Sequence, residues 1–219
     1  MSRRLRAVFL DRDGVLNRAD VRDGKPYPPQ RLGDFVILPG VVDACAMLKR
    51  RDFLLVVATN QPDVGRGTQT RENVEAMHDV LVQQLPIDRI EICFHAGDTP
   101  CACRKPAPGM LLRVADEWQI DLQTSFMIGD RWRDIDCGHE AGCTTVFIDH
   151  GYREPLRSQP AYRTTSLLDA ARWICSGGVG FSAASPDLNF KENSRCSALN
   201  PYSSSFQPKY TPTAPTARG

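Results

Sequence analysis

FLDRDGVLN, Phe9 to Asn17, changes character abruptly at its third residue. The apolar run Ala7 to Leu10 reads as a buried strand that stops at Asp11. Asp13 follows two residues on, and Gly14 can turn the chain away. Apolar side chains draw the strand into a core and leave both acids at its C-terminal end. In open parallel α/β sheets that edge binds ligands. Two neighbouring carboxylates repel unless a cation, a proton or hydrogen-bond donors compensate them. The pattern points to a hard cation such as Mg²⁺ held by oxygen ligands, with a solvated acidic turn as the alternative.

The rest of the chain repeats this design. Leu54 to Ala58 is an apolar run that ends in TNQPDVGRG, Thr59 to Gly67. Ile90 to Phe94 runs into a cysteine cluster and CRKPAPG, Cys103 to Gly109. Ser125 to Ile128 ends in GDRWRD, Gly129 to Asp134, and Thr144 to Ile148 forms a fifth strand. Between them lie helices at Val41 to Lys49 (Val42, Cys45, Leu48 and Met47 inward), Arg71 to Leu85 (Thr70 as N-cap), Met110 to Trp118 and Asp134 to Ala141. A last helix is expected near Ser166 to Ile174. Alternating strands and helices predict a doubly wound α/β sheet. The stretch Arg18 to Asp34, rich in Pro and Gly, is expected to be a loop beside the site.

Bulk composition narrows the partners. The 219 residues are 42% hydrophobic, with 27 Lys plus Arg against 26 Asp plus Glu. A net charge of +1 argues against nucleic acid or a polybasic membrane contact as the main business. No apolar stretch is long enough to span a bilayer, and the run after MSRRLR breaks at Asp11, too early for a secretory leader. A cytoplasmic protein with neither nucleic acid nor membrane as its partner is expected. Residues 176–219 hold eight Ser and five Pro without periodicity, the composition of a disordered tail.

Four strand ends bring together Asp11, Asp13, Thr59, Lys105, Asp130 and Asp134. Carboxylates for a divalent cation, with a hydroxyl and an ammonium for phosphoryl oxygens, suit phosphoryl transfer. Neither G-x-G-x-x-G after the first strand nor a P-loop is present, which counts against dinucleotide and NTPase chemistry. The set resembles the haloacid dehalogenase (HAD) superfamily of aspartate-nucleophile phosphatases. DRDGV matches its first motif, Thr59 the second, Lys105 the third and GDRWRD the fourth. FLDRDGVLN, TNQPDVGRG and the C-x-H…C-x-CRKPxPG block are similar to heptose bisphosphate phosphatases and their histidinol-phosphatase relatives.

The resemblance implies a three-layer Rossmann-like domain over residues 1–175 without a large cap, and a role for each residue. Asp11 would be the nucleophile and Asp13 the general acid and base. Thr59 and Lys105 would hold the phosphoryl oxygens. Mg²⁺ would sit on Asp11, Asp130 and the backbone carbonyl of Asp13, with Asp134 either in the outer shell or simply starting a helix. Asn17, Asn60, Gln61, Arg66 and Arg104 are the expected substrate contacts, Arg104 for a second anionic group. Arg131 stands where the heptose enzymes usually carry lysine, and the AGDTP loop, Ala96 to Pro100, is shorter than theirs.

Cys93, His95, Cys101 and Cys103 give C-x-H-x₅-C-x-C within a zinc loop at 93–103. Three thiolates and one imidazole make a closed tetrahedral set, which implies a structural Zn²⁺ that positions Arg104 and Lys105. His78, His139 and His150 are expected only to pack or face solvent. The expected activity is a Mg²⁺-dependent phosphomonoesterase acting on a sugar phosphate, a heptose 1,7-bisphosphate foremost. Histidinol phosphate is the alternative substrate, and an inactive zinc-stabilised binding module the alternative class.

Overall fold

β1 (Arg6–Leu10) sends its side chains alternately into two hydrophobic layers. Val8 and Leu10 enter one layer, Ala7 and Phe9 the other, and all four are fully buried. The computed structural model describes residues 4–97 and 99–178. After β1 come a hairpin, β2 (Asp20–Arg22) and β3 (Lys25–Tyr27), then α1 (Val41–Lys49) and β4 (Phe53–Asn60). A single turn α2 (Pro62–Gly65) precedes α3 (Arg71–Gln84), β5 (Arg89–Cys93), α4 (Gly109–Trp118) and β6 (Phe126–Gly129). The described chain closes with α5 (Trp132–Ala141), β7 (Thr144–Ile148), β8 (Tyr162–Thr164) and α6 (Leu167–Cys175).

Six strands form a parallel sheet in the order β5-β4-β1-β6-β7-β8. The chain steps outward from β1 through β4 to β5, then returns to β6 on the other side of β1. That reversal opens a crevice at the C-terminal end of β1. Residues of α1, α3 and α6 pack on the face that holds Val8 and Leu10. Residues of α4 and α5 pack on the face that holds Phe9. The result is the doubly wound, three-layer α/β architecture expected from the sequence. Each fully buried Leu or Val of β1 and β4 contributes about 1.5–3 kcal/mol by leaving water.

Several local expectations need correction. Cys45 and Leu48 of α1 are buried as expected and Met47 packs partly against the core, but Val42 is 51% exposed, and Val41 and Ala44 complete the i, i+3, i+4, i+7 stripe in its place. The stretch expected as loop contains the β2–β3 hairpin, turned by Asp23 and Gly24 at φ 50° and 71°. Asp-Gly is a strong hairpin signal, and the neighbouring prolines masked it. Pro26 pairs with Val21 in a two-stranded ribbon, whose free edges tolerate a missing donor. Among the described residues no helix is long and apolar enough to cross a membrane. The disordered-tail expectation for 176–219 falls outside the described residues beyond position 178.

Candidate active site

Asp11 follows β1, and Asp130 and Asp134 follow β6, the neighbouring strand. One carboxylate oxygen from each lies within 4.8 Å of the others, and all three residues are buried. Two glycines make the approach feasible. A Cβ at Gly14, whose φ is +84°, would stand 1.9 Å from Asp130 Oδ2, and one at Gly129 would stand 2.0 Å from the Asp134 Cβ. Asp134 also receives the Arg131 backbone N–H at 3.0 Å at the start of α5. It therefore caps the helix and faces the cluster at once.

Lys105 Nζ lies 2.8 Å from Asp11 Oδ1 and 2.6 Å from Asp134 Oδ1, almost fully buried. Burial alone would lower its pKa, but Asp11 and Asp134 overcome this and raise it. Burial pushes Asp11 up to about 6 against the pull of Lys105. Burial, reinforced by Asp11 and Asp134, holds Asp130 well above the usual carboxylate range. Both Asp130 oxygens are buried and meet no donor at good hydrogen-bond geometry, and the nearby Tyr152 hydroxyl gives only a minor pull toward a lower pKa. Three carboxylates facing one ammonium leave an excess of negative charge, and orphaned oxygens of this kind are the donor set that a hard divalent cation takes.

The Asp13 side chain turns to a different set of partners. Its Oδ1 accepts from Asn17 Nδ2 at 2.9 Å and its Oδ2 from Gln61 Nε2 at 2.9 Å. Gln61 also donates to Thr59 Oγ1 at 2.9 Å. Asn17, Gln61 and Thr59 are buried and do not line the cleft above the cluster. The two amides expected as substrate contacts are thus engaged in holding Asp13.

The cleft, about 560 Å³, is lined by Asp11, Asp13, Lys105, Asp130 and Asp134 at its base and by Asn60, Arg66, Arg104 and Arg131 toward its rim. The Asn60 amide holds the backbone of Lys105 on both sides: Nδ2 donates to its carbonyl and Oδ1 accepts its N–H, each at 3.0 Å. Arg104 donates to the His95 carbonyl, and Arg66 pairs with Asp63 at 3.1 Å. Arg131 forks onto Glu154, with Nε 2.7 Å and Nη2 2.6 Å from its oxygens. This pairing holds Glu154 below the usual carboxylate range.

Residues 102–171 match the HAD-hydrolase-like family model. The chain is 34% identical to a D-glycero-beta-D-manno-heptose-1,7-bisphosphate 7-phosphatase of Pseudomonas putida, over 75% of this chain and 94% of that one. It is 34% identical to a D-glycero-alpha-D-manno-heptose-1,7-bisphosphate 7-phosphatase of Campylobacter jejuni, over 65% and 81%. The crystal structure of the B. bronchiseptica D,D-heptose 1.7-bisphosphate phosphatase, complexed with magnesium and phosphate, superposes with a TM-score of 0.65 at 30% identity, covering 78% of this chain and 99% of that one. The chain belongs to the haloacid dehalogenase-like phosphatases.

Beside the cleft of this HAD phosphatase, Cys93, His95, Cys101 and Cys103 bring one ligand atom each within 4.8 Å of one another. The Cys93 and Cys101 sulfurs are 3.7 Å apart, and His95 Nδ1 lies 3.5 Å from Cys93 Sγ and 3.2 Å from Cys103 Sγ. A tetrahedron of sulfurs each about 2.3 Å from zinc has an edge of about 3.8 Å, so the set is already spaced for the ion. Without a metal the pair shares one proton: the hydrogen bond from Cys93 holds Cys103 down to about 5, and the same bond pushes the Cys93 thiol up.

Four residues near the phosphatase site carry no signal in the sequence. His150 Nε2 donates to the Gly14 carbonyl at 2.7 Å and ties the segment after β7 to the acidic turn. Glu154 neutralises Arg131. Arg12 and its partner His78 lie beneath Asp13. None of these pairings carries a local spacing signal, except that Arg12 stands between the two acids.

Proposed function

We propose that this phosphatase is a Mg²⁺-dependent phosphomonoesterase of sugar bisphosphates, with a D-glycero-D-manno-heptose 1,7-bisphosphate as the leading substrate and its 7-phosphate as the group removed. The observation that carries this reading is the convergence of Asp11, Asp130, Asp134 and Lys105 beneath a cleft with arginines at its rim. Two named relatives act on heptose bisphosphates, and both anomers occur among them.

In this reading Asp11 attacks phosphorus, forming an aspartyl-phosphate as the bond to the sugar oxygen breaks. Asp13 gives that oxygen its proton and later takes one from water, which releases phosphate and restores Asp11. Lys105 holds phosphoryl oxygens as charge spreads over them, and the buried Thr59 hydroxyl, whose oxygen accepts from Gln61, directs its own proton to them from behind the cleft lining. Asp11, Asp130 and the Asp13 carbonyl would hold Mg²⁺, with Asp134 beside them. The ion, when bound, neutralises the carboxylates and the incoming phosphate. Arg104 and Arg66 take the second phosphate of the substrate. Zn²⁺ on Cys93, His95, Cys101 and Cys103 keeps the Arg104–Lys105 segment in place.

Residues 1–175 are read as one phosphatase domain. The protein is read as a cytoplasmic monomer of carbohydrate metabolism, in keeping with the seven described cysteines being free thiols. The test is turnover with Mg²⁺ across heptose bisphosphates, hexose bisphosphates and histidinol phosphate. Preference for a heptose bisphosphate, lost in Asp11→Asn, supports the reading. Preference for histidinol phosphate overturns the substrate, and no turnover at all overturns the activity.

A further inference from the structure

Arg12 is among the largest side chains that are fully buried. Its guanidinium forks onto Asp13, with Nε 3.2 Å from both carboxylate oxygens and Nη2 3.1 Å from Oδ1 and 2.9 Å from Oδ2. The remaining terminal nitrogen, Nη1, lies 3.2 Å from Nε2 of His78 on α3. The Phe35 ring packs 5.8 Å from the guanidinium. The backbone is pinned as well: the Arg12 N–H donates to Asp11 Oδ1 at 2.7 Å, and its carbonyl accepts from Leu16 and Asn17.

Arginine only donates, so His78 must accept through Nε2 and carry its proton on Nδ1. An imidazolium there would set donor against donor. Burial, followed by the charge of Arg12, accordingly holds His78 well below its usual range, so the ring stays neutral. Burying a guanidinium is costly, and an apolar side chain in the same space would pack at least as well. The arrangement gains something that packing alone does not provide. It fixes the carboxylate plane of Asp13, with Asn17 donating to Oδ1 and Gln61 to Oδ2, while the group still lines the cleft.

We propose that Arg12, braced by His78, is a positioning residue that holds Asp13 in one orientation for proton transfer to the leaving group and from water. This rests on the phosphatase reading above. Proton transfer by a placed side chain is worth about 10²–10⁴-fold, and a misplacement of about 1 Å forfeits much of it.

The test uses the full chain and two esters. A sugar phosphate leaves as a strongly basic alkoxide that needs a proton, whereas p-nitrophenolate leaves without one. Arg12→Met should lower kcat on the sugar phosphate by about 10²-fold while leaving the first-turnover burst of p-nitrophenolate near the wild-type rate. KM should change by less than about threefold, because the substrate contacts are untouched. His78→Leu should show the same split at about a tenth of the size, and Arg12→Lys should recover part of the loss. Arg12→Met combined with Asp13→Asn should be no slower than Asp13→Asn alone, since residues acting as a unit are not additive.

Equal losses of burst and turnover, or losses that add in the double variant, would mean that Arg12 only supports the fold, and would overturn the proposal. Should Arg12→Met fail to fold, the same criteria apply to His78→Leu. A wild-type protein inactive on every ester would instead overturn the phosphatase reading. An active one with undiminished variants would overturn only the role of Arg12.

Discussion

The Lys105 ammonium lies 2.8 Å from Asp11 Oδ1, a contact between the end of β1 and the loop after the cysteine cluster. Both groups are almost wholly buried, and Lys105 touches Asp134 as well. Lys105→Met should therefore cost both chemistry and stability. Losing one preorganised donor to the phosphoryl group should lower kcat by about 10²–10³-fold. Leaving two buried carboxylates unpaired should destabilise the metal-free protein by about 3–5 kcal/mol, measured by urea unfolding.

Asp130 should behave in the opposite way. Its carboxyl is buried beside Asp11 and Asp134, so Asp130→Asn, which removes the like charge, should raise the stability of protein held without Mg²⁺ by about 1–3 kcal/mol while abolishing turnover. The sign with pH follows from the raised pKa. The protonated group favours the folded state below the ordinary carboxylate range, and that contribution disappears as pH rises through the folded pKa. The stability advantage of the variant should thus grow with pH. Urea midpoints at several pH values check this.

The cysteine cluster gives a third expectation. Protein purified without chelator should hold about one equivalent of zinc by elemental analysis, and Cys101→Ser should hold less. Removing the ion with phenanthroline should lower the melting temperature and the activity together, since Arg104 donates to the carbonyl of the ligand His95. Retention of full activity after zinc loss would separate the cluster from the site.

The rim arginines should affect binding rather than chemistry. Arg104→Ala should raise KM for a sugar bisphosphate by about tenfold or more, because a charge-assisted hydrogen bond is worth about 1.5–3 kcal/mol. Its KM for p-nitrophenyl phosphate, which lacks a second phosphate, should stay near wild type. Initial-rate kinetics on the two substrates decide it.

Much of this was legible in the sequence because strand ends announce themselves. Runs such as Ala7 to Leu10 must be buried, and the polar residue that halts each run falls at the same sheet edge. This logic located Asp11, Thr59 and Asp130 and the sheet that gathers them, while Lys105, well past the end of β5, was reached through the motif it belongs to. It did not reach pairings made across the fold. His150 meets Gly14 over 136 positions, and His78 meets Arg12 over 66, so no spacing rule links them. Asn17 and Gln61 were read as substrate contacts because they are polar and adjoin the site. Their full burial beside Asp13 emerges only once β1 and β4 are neighbours. Asp134 starts the helix as one of its two readings had it, and a carboxylate has enough lone pairs to cap α5 and face Lys105 as well.

The central claim is that Asp11 carries the phosphoryl group between substrate and water. Asp13→Ala incubated with Mg²⁺ and p-nitrophenyl phosphate should complete the first step, whose leaving group needs no acid, and stall at the second. Acid-quenched peptide mass spectrometry should then find the mass of one phosphoryl group, labile to hydroxylamine, on the peptide containing Asp11 and absent in Asp11→Asn. Phosphate found on a different residue, or a stalled reaction with no adduct on Asp11, would contradict the account.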